Sequence, residues 1–109
     1  MATNQTNEER RLELDSKLRS LLGNDHTYFQ PPESVKLKYD CIIYSLDGAD
    51  IRHADNLHYH RMRRYSLLHV HRDPDIDLID KISSSFRYVE FNRRYVSDNL
   101  YHDAYTLYY

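Results

Sequence analysis

The chain has 109 residues, of which 40% are hydrophobic and 29% are charged, and its formal net charge is −2. This length suits one domain, and the hydrophobic fraction is too high for a chain that is disordered throughout. The slightly acidic net charge disfavours a strong nucleic-acid binder. No apolar run approaches the roughly 20 residues that cross a bilayer. The two glycines are too few for a glycine-rich phosphate loop.

The N-terminal segment is polar and lacks the apolar stretch of a secretory signal, so we expect the protein to be made and used in a cytoplasm or in a particle assembled there. Residues 1–6 are expected to be flexible. Thr6 and Glu9 have the spacing of a helix capping box, and Gly23 is a typical helix stop. Residues 7–23 are therefore predicted to form an amphipathic helix with one leucine stripe. The stripe consists of Leu14, Leu18, Leu21 and Leu22.

The middle of the chain has the pattern of strands. Residues 24–34 contain turn formers and Pro31-Pro32, which predict an extended connector. From Val35 to Ile43 apolar and polar residues largely alternate, which predicts a strand with one solvated face. Residues 46–50 are typical of a turn or loop, and residues 57–71 form a long β-like stretch without a clean period.

Asp73-Pro74 is a second helix start, because aspartate can cap a helix and proline is tolerated at its first position. Isoleucines at helical spacing form the predicted buried stripe, and the serines at 83–85 are expected to end this helix. Two strands follow at 86–96 and 100–109, separated by three polar residues in the manner of a hairpin. The isoleucines are Ile76, Ile79 and Ile82.

These elements predict an α+β fold in which an antiparallel sheet of about four strands carries two helices packed on one face. We expect a single domain over residues 1–109, with residues 35–109 as its α+β core.

Two histidine pairs are candidate metal ligands. His58 and His60 alternate, as do His69 and His71, so each pair lies on one face of an extended segment and the four imidazoles could hold zinc or copper. The arginines crowding the same segment would repel a cation, so surface or interface histidines are the favoured interpretation. Cys41 lies in an apolar run and is typical of a buried small hydrophobe. We therefore predict neither a metal nor a cofactor.

No catalytic arrangement stands out. Asp47, Asp50 and Asp55 lie in a polar segment with turn formers and are interpreted as solvated loop acids. The serine triple lacks the glycines of a nucleophile elbow. The sequence thus predicts a protein that is not an enzyme.

Residues 58–65 interleave basic and aromatic side chains, a pattern that suits single-stranded nucleic acid. The same residues also suit a protein interface that faces the acidic loop of a neighbouring copy, and the overall acidity favours this second interpretation. The interface candidates are Asp47, Asp50, Asp55, His58, His60, Arg61, Arg63, Arg64, Arg93 and Arg94.

Several segments, in order, resemble a family of small bacteriophage proteins known as tail terminator, tail completion or neck proteins. The resemblance runs from Pro32 to the C-terminus, and the sequence departs from it at Asp40, where proline is usual, and at the serine triple. The matching segments are 38–44, 54–56, 64–65, 71–75, 91–96, 98–103 and 105–109.

The resemblance implies a non-enzymatic structural protein of the virion, made in the host bacterial cytoplasm and without a membrane role. It implies a ring that caps the tail tube and joins it to the head connector. Six copies is the simplest number for this ring, and twelve is the alternative. Its partners would be further copies of itself, the tail tube protein and neck or connector proteins, with DNA passing through the lumen. The alternatives are a head-completion or collar adaptor at the same junction, and a small nucleic-acid-binding protein that uses Arg61 to Tyr65.

Overall fold

A computed structural model describes residues 5–50 and 62–109, except for the side chains of residues 49 and 50. The predicted interface residues Asp55, His58, His60 and Arg61 lie outside the described residues, as do residues 1–4. The elements in chain order are α1 (Asn7–Leu22), β1 (Thr27–Phe29), β2 (Cys41–Asp50), β3 (Met62–His71), α2 (Leu78–Ser85), β4 (Tyr88–Ser97) and β5 (Leu100–Tyr108).

The strands form one five-stranded sheet in the order β1-β2-β3-β5-β4. β1 runs parallel to β2, and all other neighbours are antiparallel. The α+β class and the two helices are confirmed, whereas the sheet has five strands instead of about four. The fifth strand, Thr27–Phe29, lies in the segment that was expected to be a connector, and its three residues are too few to display an alternating pattern.

Both helices pack on the same face of the sheet. In the β3–β5 register Tyr65 lies opposite Leu107 and Leu67 lies opposite Tyr105, so alternate positions of both strands turn their side chains to this face. All four are buried in one cluster with residues of both helices. The helical members of this core are Leu14, Leu18, Leu78 and Ile82. In the part of the chain that the structure describes, no helix is long and apolar enough to span a membrane.

Helix α1 begins and ends as the sequence predicts. The Glu9 amide donates to Thr6 Oγ1 at 3.1 Å, and the Thr6 amide donates to Glu9 Oε1 at 2.9 Å, which completes the capping box. At the other end Gly23 has φ 85°, a left-handed conformation that glycine adopts without steric cost, and its amide donates to the Arg19 carbonyl.

Two predicted boundaries are wrong. Strand β2 begins at Cys41 instead of Val35 and continues through 46–50, because a bulge between Leu46 and Gly48 absorbs the turn-forming residues within the strand. Helix α2 begins at Leu78 instead of Asp73. The Asp73 carboxylate accepts a hydrogen bond from the Asp75 amide at 2.9 Å, and this local bond favours a turn over the start of a helix.

The hairpin of β4 and β5 is confirmed. Its two connecting residues, Asp98 and Asn99, both have positive φ angles, of 54° and 64°. Two such residues in sequence give the turn whose twist matches that of antiparallel strands. Asparagine and aspartate tolerate this conformation better than other residues with a side chain.

We expect the Asn99→Val substitution to destabilise the protein by about 1–2 kcal/mol, because a β-branched side chain clashes with the backbone at positive φ. Urea unfolding followed by circular dichroism measures the change. The control is Ser97→Val, which places the same side chain at an exposed strand position of the same hairpin. A loss of stability that is equal in both variants would contradict the assigned role of the turn.

Candidate functional site

Asp47 and Arg64, both predicted interface residues, contact each other at one end of the β2–β3 pair. The Arg64 Nη2 donates to the Asp47 carbonyl at 2.9 Å, and its Nε lies 3.4 Å from a carboxylate oxygen of the same residue. The guanidinium lies over Gly48, where an added Cβ would come within 2.8 Å of it. Both side chains are about half exposed, so this is a surface ion pair of small energy. Arg64 is therefore engaged within its own chain.

Arg63 precedes Arg64 and points to the opposite face of the sheet, as alternation requires. It lines a surface cavity of about 190 Å³ together with Leu46 and Tyr65. Tyr65 is only 3% exposed and belongs to the core, so its ring has no free face for a nucleic-acid base. Among the described residues of this stretch, 62–65, Arg63, Arg64 and Tyr65 therefore do not form one continuous surface.

Strand β4 is an edge of the sheet. Its only neighbouring strand among the described residues is β5, so the other side of this ten-residue strand has no strand partner there. Large apolar side chains of β4 are exposed, including Val96 at 63% and Tyr88 at 49%. The Arg93 guanidinium lies 4.8 Å from the ring centre of Tyr95, and that ring stacks on His102. This edge is long, aromatic and basic.

Arg94, predicted as an interface residue, instead belongs to a largely buried network. Its Nε donates to Asp103 Oδ1 at 2.6 Å, its Nη2 donates to Oδ2 at 3.1 Å, and its Nη1 donates to the Pro74 carbonyl at 2.9 Å. Asp103 Oδ2 also lies 2.7 Å from Nε2 of His71, and both of these side chains are fully buried. The network joins strands β3, β4 and β5 to the turn that precedes α2.

The Asp103 carboxylate is held in its ionised form. Burial alone would raise its pKa, but the hydrogen bonds from Arg94 and His71 outweigh burial, and the pKa lies below its ordinary value of 3.8. A bidentate contact with arginine is the geometry that best compensates a buried carboxylate.

His69 extends this polar group on the same face, because it lies opposite Asp103 in the register and stacks on His71 with 4.4 Å between ring centres. It is fully buried, and neither ring nitrogen has a hydrogen-bond partner. Burial, reinforced by the nearby His71, lowers the pKa of His69 from 6.5 to about 3, so the ring is neutral at pH 7. It lines a cavity of about 150 Å³ that also contacts Asp40 and Asp77.

The expectation of surface or interface histidines is therefore wrong for His69 and His71. The sequence contains a signal for their burial. Leu67, His69 and His71 occupy alternate positions of one strand, so the two histidines lie on the same face as the buried leucine. No pattern in the sequence marks Asp103 as part of this cluster. Cys41, in contrast, is buried as predicted, and burial together with Asp40 raises the pKa of its thiol to about 11.

Comparisons of the chain with protein-family models, with curated proteins and with solved structures find no match. The resemblance to phage tail terminators stays a prediction. Three of the segments that carry it, 71–75, 91–96 and 98–103, contribute to the network of His71, Pro74, Arg94 and Asp103. These segments thus meet in one structural contact.

We expect Asp103→Asn to cost about 3 kcal/mol of stability at pH 7, because it leaves the Arg94 guanidinium without its buried counter-charge. The pKa of Asp103 is lowered in the folded chain, so its stabilisation is complete above about pH 5 and is lost as the pH falls through the lowered value. The variant should lack this part of the acid dependence.

Urea unfolding between about pH 2 and pH 7, in a buffer that contains a chelator, measures both effects. The control is Glu90→Gln, which removes an exposed carboxylate from β4. Equal stability and equal acid dependence of the two variants would show that the network does not stabilise the fold.

Proposed function

We propose that the protein is a structural component of a tailed bacteriophage that forms a terminator ring, caps the tail tube and joins it to the head connector. The proposal rests on the ordered segments that resemble this family and on one structural observation, the long open edge of strand β4. In this proposal the protein acts through contacts with other proteins and carries out no reaction.

The β4 edge supports assembly because its unpaired backbone groups and exposed apolar side chains are a template for another chain. We assign this surface to a second copy of the same protein. A contact between the edge of one copy and a different surface of the next is heterologous, and such contacts close into a ring when the rotation between copies is suitable. Six copies is the simplest number for the family that the sequence resembles.

The edge also has features that oppose indiscriminate pairing. A bulge lies between Phe91 and Arg93, and charged residues flank the exposed aromatic rings. Bulges and charges on edge strands prevent open-ended aggregation and leave only a partner of matching shape and charge. These features favour a closed ring over a fibre.

Labelling of the phage particle tests the position of the protein. An antibody against this chain should mark the junction between tail tube and head in electron micrographs. Label on the head side of the connector would instead support the head-completion or collar adaptor, and label at the far end of the tail would contradict both.

The nucleic-acid alternative has less support from the described residues, because Tyr65 is buried and Arg64 is paired with Asp47. A salt titration distinguishes it. Tight binding of single-stranded DNA that weakens steeply with salt, by a chain that stays monomeric, would favour this alternative over the ring.

We expect the double substitution Tyr88→Lys and Val96→Lys to weaken assembly at least about tenfold, since burial of two new charges at the edge costs at least ~1.4 kcal/mol. Sedimentation velocity over a concentration series measures the shift from ring to monomer, and circular dichroism checks the fold. The control is Leu12→Lys, which changes an equally exposed apolar residue on α1. Unchanged assembly in the double variant would remove β4 from the ring contact.

A further inference from the structure

Two imidazoles and a carboxylate converge on the covered face of the sheet. His69 and His71 are two positions apart on β3, so both lie on this face, and Asp103 lies directly opposite His69 on β5. All three side chains are fully buried. Each offers one ligand atom, and the three atoms lie within 4.8 Å of one another.

We propose that His69, His71 and Asp103 form a binding site for a divalent transition-metal ion, with Zn²⁺ as the ion that this ligand set fits best. Two histidine nitrogens and one carboxylate oxygen are ligands that zinc prefers, and a site with three protein ligands leaves the fourth position for water. This site does not depend on the proposed role in the virion, and its three ligands lie on β3 and β5, not on the exposed edge of β4.

The first support is the set of unpartnered nitrogen atoms. Both ring nitrogens of His69 and the Nδ1 of His71 are buried without a hydrogen bond. Buried polar atoms are nearly always paired, and an unpaired one calls for a specific explanation such as a bound ion. Because no group among the described residues donates to either ring nitrogen of His69, the nitrogen of a neutral ring that carries no proton has a lone pair available to a metal.

The second support is the way Arg94 holds the carboxylate. Its Nε donates to Oδ1 of Asp103 at 2.6 Å and its Nη2 donates to Oδ2 at 3.1 Å, which fixes the orientation of the carboxylate with Oδ2 next to His71. A ligand that is itself hydrogen-bonded from behind is the usual arrangement in metal sites.

Binding changes the tautomer of His71. The 2.7 Å contact between His71 Nε2 and Asp103 Oδ2 is a hydrogen bond, and when the ion takes its place the proton of the neutral ring moves to Nδ1, so that His71 binds as a neutral imidazole. Ligand atoms of a tetrahedral zinc lie about 3.3 Å apart. The 2.7 Å contact must therefore open slightly, whereas the longest of the three separations must close.

The positive charge of Arg94 is compensated by Asp103 itself. The cavity next to His69 is lined by Asp40, Asp77 and Lys81. Asp40 lies 3.6 Å from Arg72, and Asp77 lies 3.7 Å from Lys81, so these ion pairs add no net positive charge beside His69. The cavity of about 150 Å³ has room for water next to His69.

The test uses the full chain after treatment with a chelator. Calorimetric titration with Zn²⁺ at neutral pH should give about one ion per chain, and Co²⁺ should give the visible absorption of a tetrahedral site with nitrogen and oxygen ligands.

His69→Gln should weaken Zn²⁺ binding at least about 100-fold, more than the loss of an outer hydrogen-bond partner usually costs. The substitution removes no hydrogen bond of the apo protein, so the fold should persist by circular dichroism. The matched control is His102→Gln, on the other face of β5, which should bind Zn²⁺ as the wild type does.

The proposal is wrong if the wild-type chain retains no Zn²⁺ through dialysis and gives no tetrahedral Co²⁺ spectrum. It is equally wrong if His69→Gln binds as tightly as the wild type, or if His102→Gln loses binding to the same extent. The cobalt spectrum of the wild type decides the matter even if His69→Gln fails to fold.

Discussion

The bidentate ion pair between Arg94 and Asp103 is the contact that holds strands β3, β4 and β5 to the turn before α2. A buried carboxylate is stable only when its charge is compensated and its oxygens accept hydrogen bonds. Here one guanidinium and one imidazole supply both. The same guanidinium reaches the Pro74 carbonyl and so fixes the turn that leads into α2. Groups that lie about twenty to thirty residues apart in the chain are thereby held in one place. This gives a physical reason why segments spaced along the sequence meet in one contact.

The order of the strands determines which surface is left for assembly. Because β5 inserts between β3 and β4, the hairpin places β4 at the edge. The opposite edge, β1, has only three residues, and helix α1 contacts it. Short or covered edges pair poorly with other chains, whereas a ten-residue edge with exposed aromatic and aliphatic side chains pairs well. Among the described residues, the longest strand edge without a partner is therefore that of β4.

Local signals in the sequence predicted those elements that local chemistry controls. Thr6, Glu9 and Gly23 define α1 because capping is a matter of a few neighbouring backbone groups, and the β4–β5 turn is local in the same way. β1 could not be predicted, since its position depends on pairing with β2 in a parallel register. The interface candidates stay predictions, although the fold separates two of them. Arg93 and Arg94 were grouped by charge, yet alternation in a strand sends one to the exposed aromatic edge and the other to the buried carboxylate.

The same alternation explains why the polar cluster was missed. On β3 the inward positions change from Tyr65 and Leu67, which pack in the core, to His69 and His71, and only the register with β5 places Asp103 against them. Local rules of folding are broken most often where a site has a function, and a fully buried imidazole without a hydrogen bond is such a break. The Asp103 end of the cluster is fully paired, so it stabilises the fold by itself. The ring nitrogens of His69 have no hydrogen-bond partner among the described residues, so their burial does not stabilise the fold and calls for another explanation.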